Sequence, residues 1–541
     1  MVVSGSWQGN PNDTVLEKIA KCEDNLKEWS KLKFGSLVAR RKKAEKALTI
    51  LEKRKKNGAV IAQRRAIEKE LNEIMDLEEE AWKQRSRTDW LQQGDRNTPF
   101  FHRKASDRRN RNTINFLLDQ DGVERKGQKA VTLCIRDYYQ MLFKAAPPAL
   151  TSHVLDAISC KITDRMNEEL LQPITREEIW NALRHMGPTK APGADGMLTM
   201  FFQKYWHVIG DDVTKEIQGY MDRGEFPQVL NHTLLALIPK TKKPKTPAEF
   251  RPISLCKVLY KIFSKVLANK LKKVLKVAVV ENQSAFVPGR YITDNVIVAF
   301  ECFHAMKTIT KGKKGYMAAK LDIAKAYDRV SWKFLEAIIR KLGFADRWVR
   351  MIMYCVSTVS YAALVKGHQS DTFFPTRGLR KGDPISPYLF LLVAEGLSAL
   401  TAKAEAEGFI QGLKVSQNAP MISHLLFADD SISFIKATRP QCSKLKEILS
   451  CYEVESGQSV SLTKSEISFS SNIPNQTQLE MADLLGMKLV EFHEKYLGLP
   501  TVVGRKKRSI FSYLVDRIRK KVKLWKSKLL SSAAKEVLIK C

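Results

Sequence analysis

The chain has 541 residues, 44% of them apolar, enough for about three or four domain-sized units and too many for a disordered polymer. Its 90 Lys and Arg outnumber 58 Asp and Glu, and a net charge of +32 repels itself unless a polyanion screens it, so nucleic acid is the first partner to consider and an anionic membrane surface the second. There is no apolar run long enough to span a bilayer and no signal-peptide layout in MVVSGSWQGNPNDTV, and the nine scattered cysteines form no C-x-x-C pair, which speaks against a zinc site and for a reducing compartment.

From Asn12 to about Arg87 proline is absent and Lys, Arg, Glu, Leu and Ala dominate, which predicts one or two long helices with a break at Gly58. Leu48, Leu51 and Ile61, then Ile67, Leu71 and Ile74, recur at helical spacing and predict a helical hairpin or short coiled coil over 12–89. In Thr88–Thr113, Trp90, Phe100 and Phe101 sit among Arg96, Arg103, Lys104, Arg108, Arg109 and Arg111. That mixture suits phosphate contact with base stacking, or a solvated basic loop. AAPPAL, Ala145–Leu150, reads as a linker closing a basic segment over 90–150. A helical region over 151–220 follows, with the turn cluster APGADG at Ala191–Gly196, and then a strand, TLLALIP, at Thr233–Pro239.

MAAKLDI predicts a strand with Asp322 near its C-terminal end, and AKAYDRVSWKFLEAII a helical continuation. HLLFADDSISFI, His424–Ile435, predicts two short strands, 424–427 and 431–435, with Asp429 and Asp430 at the tip between them. Alone, an Asp-Asp pair in a turn is ordinary turn chemistry. A second apolar strand that also ends in an acid changes the reading. Three carboxylates at adjacent strand tips repel one another unless a cation sits among them. Magnesium takes oxygen ligands and bridges carboxylates to phosphates, and two such ions activate an attacking hydroxyl and stabilise a leaving pyrophosphate. From Gly504 onward, GRKKRSIFSYLVDRIRKKVKLWKSKLL predicts a basic amphipathic helix. Phe511, Leu514 and Ile518 mark the face that docks on a core, and the basic side is open to a phosphate backbone or a membrane surface.

Several motifs stand in order along the chain: WLQQGDRNTPFFH, KAPGADG (Lys190–Gly196), LIPK (Leu237–Lys240), FRPISL (Phe250–Leu255), QSAFVPGR (Gln283–Arg290), the Asp322 strand, RGLRKGDPISPYLF (Arg377–Phe390), FADD and YLGLP (Tyr496–Pro500). Together they resemble the reverse transcriptases of non-LTR (LINE-type) retrotransposons, most of all the plant kind, from about Trp90 to the end. The resemblance implies an α+β right-hand polymerase with fingers and palm over 221–502, a partial basic thumb over 503–541 and a long helical N-terminal extension. It implies RNA-directed DNA polymerase activity with two Mg2+ ions, a DNA primer extended on an RNA template with deoxynucleoside triphosphates, and an RNA–DNA hybrid as product. The basic clusters at Ala39–Lys43 and Gly504–Arg508 suit a nuclear address, with the cytoplasm left open, and are equally what any nucleic-acid binder carries.

The same resemblance distributes roles. Asp322, Asp429 and Asp430 take the positions of the three metal ligands, with the backbone carbonyl of Ile323 as a further one. Tyr327 falls where an aromatic ring lies under the sugar of the incoming nucleotide and would clash with a 2′-hydroxyl. Lys240 and Arg251 are expected to meet the triphosphate through charge-assisted hydrogen bonds, and Lys464 to act as general acid for pyrophosphate. Gln283 and Arg290 are expected to touch template. Gly378 and Gly382 would allow close backbone approach near the nascent base pair, and Pro384 would open the following helix. Asp328, six residues past Asp322, is expected to cap or pair locally. Two positions depart from the family pattern: Lys381 stands where Gln is usual and Ser461 where Asn is usual. These departures favour a second reading, a degenerate or domesticated copy that holds RNA without extending a primer. An intron maturase is a third, against which WLQQGDRNTPFFH and YLGLP speak. The endonuclease and ribonuclease H regions of such proteins are expected to lie outside this chain, which reads as a fragment of a longer polyprotein.

Overall fold

The computed structural model describes residues 2–10, 12–55, 57–86, 98–145, 152–312, 314–493, 495–501 and 511–525. Trp90, Arg96, most of AAPPAL and the 504–508 basic cluster lie outside them. The helix-rich N-terminal region forms helices Val15–Phe34, Leu37–Glu52 and Gly58–Ser86 after a short Val2–Trp7 turn of helix. The expected break before Gly58 is present. A second one stands at Gly35, whose φ of +52° ends one helix just before Ser36 caps the next. The last two helices form the hairpin: Leu51 and Ile74 are buried, and Arg41 lies 2.8 Å from Glu78 across the pair. The first helix behaves differently. Val15, Ile19 and Cys22, one helical stripe, join the main core together with Trp7, and Lys18 is 2.7 Å from Asp212.

The basic stretch that follows is a helix, Thr98–Asn112, with Phe100 and Phe101 buried and Arg103, Lys104, Arg109 and Arg111 exposed. Its phenylalanines therefore pack inward and are not presented to bases, because a helix separates an apolar stripe from its charged face.

Two sheets organise the remainder, in an α+β arrangement. The first has the strand order Phe250–Cys256, His232–Pro239, Ser360–Val365, His368–Gln369. Helix Gln128–Leu142 covers it through Val131, Ile135, Tyr139 and Leu142, which pack with Leu235, Leu237, Phe250 and Tyr361. The second has the order His424–Phe427, Asp430–Lys436, Tyr316–Asp322, Glu466–Phe469, Lys488–Leu489. All its neighbours are antiparallel except the last pair. Alternation sends Met317, Ala319 and Leu321 into the main core, and Ala318 to the other side with Ile432, Phe434 and the Ile292–Thr308 helix. Coverage on both faces is why this strand reads as a near-continuous apolar run.

Helix Ser512–Trp525 begins after Phe511, which is partly buried. Leu514 and Ile518 are 36% and 61% exposed, so among the described residues the apolar face expected to dock on a core is open to solvent. No helix of the described residues is long and apolar enough to cross a membrane.

Candidate active site

The central strand ends at Asp322, and its neighbour begins at Asp430. The register pairs these two residues directly, Asp430 with Asp322 and Ser431 with Leu321. The hairpin register pairs Phe427 with Asp430, so its loop is the two residues Ala428 and Asp429. A two-residue loop commonly needs left-handed backbone, and Ala428 supplies it with φ +55°. Asp429 and Asp430 are exposed, and the Asp322 side chain is about half exposed. Burial first, then the charges of Asp429 and Asp322, raise the Asp430 carboxyl against the opposing pull of Lys320.

A turn on the other flank completes the rim. Ser461 donates its N–H to the Asp322 carbonyl at 2.7 Å, and Ala324 donates to Ser459 at 2.8 Å. The bridge between Ile323 and Val460 that these bonds enclose is of the non-hydrogen-bonded kind, so it does not use the Ile323 carbonyl. Lys464 Nζ is 3.8 Å from Asp322 Oδ2 on a side chain that is 73% exposed, a loose ion pair.

The expected convergence of three carboxylates is met in part. Asp322 faces Asp430 with Asp429 beside them, yet among the described residues no three Asp, Glu, His or Cys side chains are disposed to hold one metal ion together. Like charges side by side keep their oxygens apart. The donor set itself suits a hard divalent cation, since it is carboxylate oxygen open to solvent and one member is raised by burial and then by its neighbours' charge.

Lys240 sits among other charged groups. Burial holds the Lys240 ammonium below its ordinary range, and Lys381, Lys464 and Arg251 push it the same way while Asp328 opposes them. Lys240 Nζ also donates to the Ala248 carbonyl at 2.9 Å, and Arg251 is exposed and pairs in register with Ile238. Tyr327 is half-buried with its ring stacked on Phe390, centroids 4.7 Å apart and planes 8° from parallel. Burial, then the charge of Asp429, raises its hydroxyl.

Residues 238–501 match the family described as Reverse transcriptase (RNA-dependent DNA polymerase). Residues 238–501 form a reverse transcriptase domain. The chain is 30% identical over 352 residues to the uncharacterised 149 kDa protein of transposon TX1 from Xenopus laevis, covering 64% of this chain and 26% of that protein. It is 25% identical over 261 residues to the Pol polyprotein of the type-1 retrotransposable element R2 from Popillia japonica, covering 48% and 34%. A 70-residue stretch, 13% of this chain, is 50% identical to an uncharacterised mitochondrial protein of Arabidopsis thaliana and covers 57% of it. The chain thus spans 26% and 34% of the length of the two polyprotein-sized relatives.

Within the reverse transcriptase domain, the RGLRKGDP loop is laced to the turn after Asp322. Gly378 donates to the Val330 carbonyl at 2.8 Å and Leu379 to that of Tyr327 at 2.7 Å. Gly378 has φ +97°, and a Cβ there would stand 2.8 Å from the Asp328 carbonyl. Gly382 has φ +116°, and a Cβ there would stand 3.0 Å from the Ser254 carbonyl. Helix Ser386–Ala406 opens after this loop with Pro387 in its first turn, so Pro384 lies in the loop and does not start the helix. The reason is Asp383, which takes hydrogen bonds from Tyr260 and Ser264 and pairs with Arg380, all buried, and so holds the loop through residue 384.

Gln283 and Arg290 are not presented to a template. Gln283 is 1% exposed, and its Oε1 accepts from the N–H groups of Ala285 and Ala428. Arg290 donates to the carbonyls of Val279, Val280 and Gln283 at the end of the preceding helix. Both had only the motif to speak for them, and a motif does not say which way a side chain points. Lys325 went unread in the sequence. It stands in the left-handed region at φ +52°, its ammonium is depressed to about 8 by burial, and it donates to the hydroxyl of Tyr138 upstream of the matched domain. No local pattern signals a contact between residues so distant along the chain.

Proposed function

We propose that the chain is an RNA-directed DNA polymerase of a non-LTR retrotransposon, extending a DNA primer on an RNA template. The observation that carries this reading is the register that sets Asp430 opposite Asp322, with Asp429 in the turn and Lys464 Nζ 3.8 Å from Asp322. The five-stranded sheet is read as the palm, the four-stranded sheet as the fingers, residues 503–541 as the beginning of a thumb and the N-terminal helical hairpin as an extension.

Asp322, Asp429, Asp430 and the Ile323 carbonyl are the groups that would hold two Mg2+ ions. Bound there, such ions lower the cost of forming a primer 3′-oxyanion and of releasing pyrophosphate. The chain's own side chains do the rest. Lys240 and Arg251 orient the triphosphate by charge-assisted hydrogen bonds. Lys464 gives a proton to the departing pyrophosphate. Tyr327, fixed by its stack on Phe390, leaves no room for a 2′-hydroxyl. Gly382 keeps the wall beside the nascent pair free of side chain. The basic surplus holds template and hybrid by releasing counterions, and the Ala39–Lys43 cluster suits a nuclear address.

Primer extension on an RNA template with magnesium tests the proposal. The wild type extends, and Asp429→Ala does not. A wild type that binds RNA and extends nothing supports instead the copy that acts as an RNA-binding protein.

A further inference from the structure

His424–Phe427 is the edge strand of the five-stranded sheet, and among the described residues no further strand of that sheet lies on its outward side, where Leu426 makes a single bridge to Gln283. An edge carrying a reactive turn has to be held, because unpaired peptide groups cost stability and leave the strand free to shift. Here the segment around QSAFVPGR covers it. Leu426 donates to the Asn282 carbonyl at 2.9 Å, and Ser284 donates to the Leu426 carbonyl at 3.2 Å. Three carboxamides complete the grip at every second residue. Asn282 donates to the His424 carbonyl at 2.8 Å, Asn295 donates to the Leu426 carbonyl at 2.7 Å, and Gln283 Oε1 accepts from the Ala428 N–H at 3.1 Å.

The third of these differs from the other two, since it holds the turn and not the strand. Ala428 immediately precedes Asp429 and lies in left-handed backbone, where an L-residue persists only if its surroundings insist on it. Gln283 also accepts from Ala285 at 3.0 Å, and two donors on one oxygen fix which way the amide faces. A neutral acceptor is what the place requires: a carboxylate would add a fourth negative charge beside Asp322, Asp429 and Asp430, and a hydroxyl would be too short.

We propose that Gln283 is a positioning residue of the polymerase reaction, whose buried carboxamide locks the Ala428 peptide and thereby sets Asp429 and Asp430 against Asp322. The assignment rests on the polymerase reading above. Gln283→Met keeps the length and removes the acceptor. It is expected to lower kcat for extension about 10- to 100-fold, the usual cost of misplacing catalytic groups by about an ångström, with KM for deoxynucleotides and Kd for the primed template within about twofold of wild type. Asn295→Ala removes a grip on the middle of the strand alone. It is expected to lower the melting temperature while kcat, measured well below that temperature, stays within about twofold. Should Gln283→Met not fold, Gln283→Asn withdraws the carboxamide by one methylene and is expected to show the same loss. A wild-type kcat in the folded Gln283 variant, or a loss that Asn295→Ala matches at equal loss of stability, overturns the assignment. A wild type that extends nothing overturns the polymerase reading first, and this assignment with it.

Discussion

The ammonium of Lys381 lies 2.6 Å from a carboxylate oxygen of Asp328, a residue only 2% exposed. Lys381 is one of the two departures from the family pattern, and on sequence alone it counts towards decay. In the fold it is the partner of a buried charge, beside a loop whose glycines need their own backbone shape. Asp328 thus pairs, as its place beyond the strand suggests, but with a cation 53 residues along the chain and not with a local partner.

Restoring glutamine at 381 should therefore harm the protein. Lys381→Gln leaves a buried carboxylate without its cation and is expected to cost about 2 kcal/mol, below the usual range for a fully buried pair because Lys381 is partly exposed. Asp328→Asn in the same chain should recover most of that loss. Urea midpoints of the three variants check it, and absence of recovery would show that the pair does not act as a unit.

The Asp430 carboxyl is raised by burial and by Asp429 and Asp322. A carboxyl whose folded value lies above its unfolded one stabilises the protein most when protonated. That stability is present below the unfolded value and is lost as pH rises through the folded one. At neutral pH without divalent cations, Asp430→Asn should thus melt about 1–2 °C higher than wild type while losing extension. Added Mg2+ should raise the melting temperature of wild type more than that of the variant. Equal melting curves with and without the ion count against the shared site.

Tyr327 is held flat against Phe390, which makes its ring a rigid wall. Tyr327→Ala is expected to reduce discrimination against ribonucleotides about 10- to 100-fold, and Tyr327→Phe to leave it unchanged. Competing extension with paired ribo- and deoxynucleotides reads this out. Unaltered selectivity in the alanine variant removes Tyr327 from sugar recognition.

A cleft of about 1050 Å3 opens beside Gly382, Ile253 and Ser254 and is lined by Arg109, Lys190 and Lys366, all three exposed. Replacing these three cations by alanine should flatten the salt dependence of single-stranded RNA binding by about 2 in the logarithmic slope. Filter binding across a range of salt measures it, and an unchanged slope places the RNA elsewhere.

Much of the site is legible in the order of residues because its determinants are local. An apolar strand that ends in Asp322 and a hairpin carrying Asp429 and Asp430 follow from alternation and turn chemistry, each within a dozen residues, although Asp430 proves to be the first strand residue and not part of the tip. Helix tendency before Arg87 is equally local, although Gly35 shows that a second break hides easily among good helix formers. Orientation is not local. The motif that contains Gln283 and Arg290 suggests contact with a template, yet Gln283 is spent on the Ala428–Asp429 turn and Arg290 on backbone carbonyls from the C-cap Val279 onward.

From its sequence alone this protein has its charge, its two acid-tipped strands and the period of its helices, since neighbours along the chain decide those. Only the tertiary structure decides that Asp430 stands opposite Asp322, that Lys381 answers Asp328, and that Gln283 holds Ala428. Each of these joins residues far apart in the chain, and strand register and burial, which no local pattern encodes, determine which of them meet.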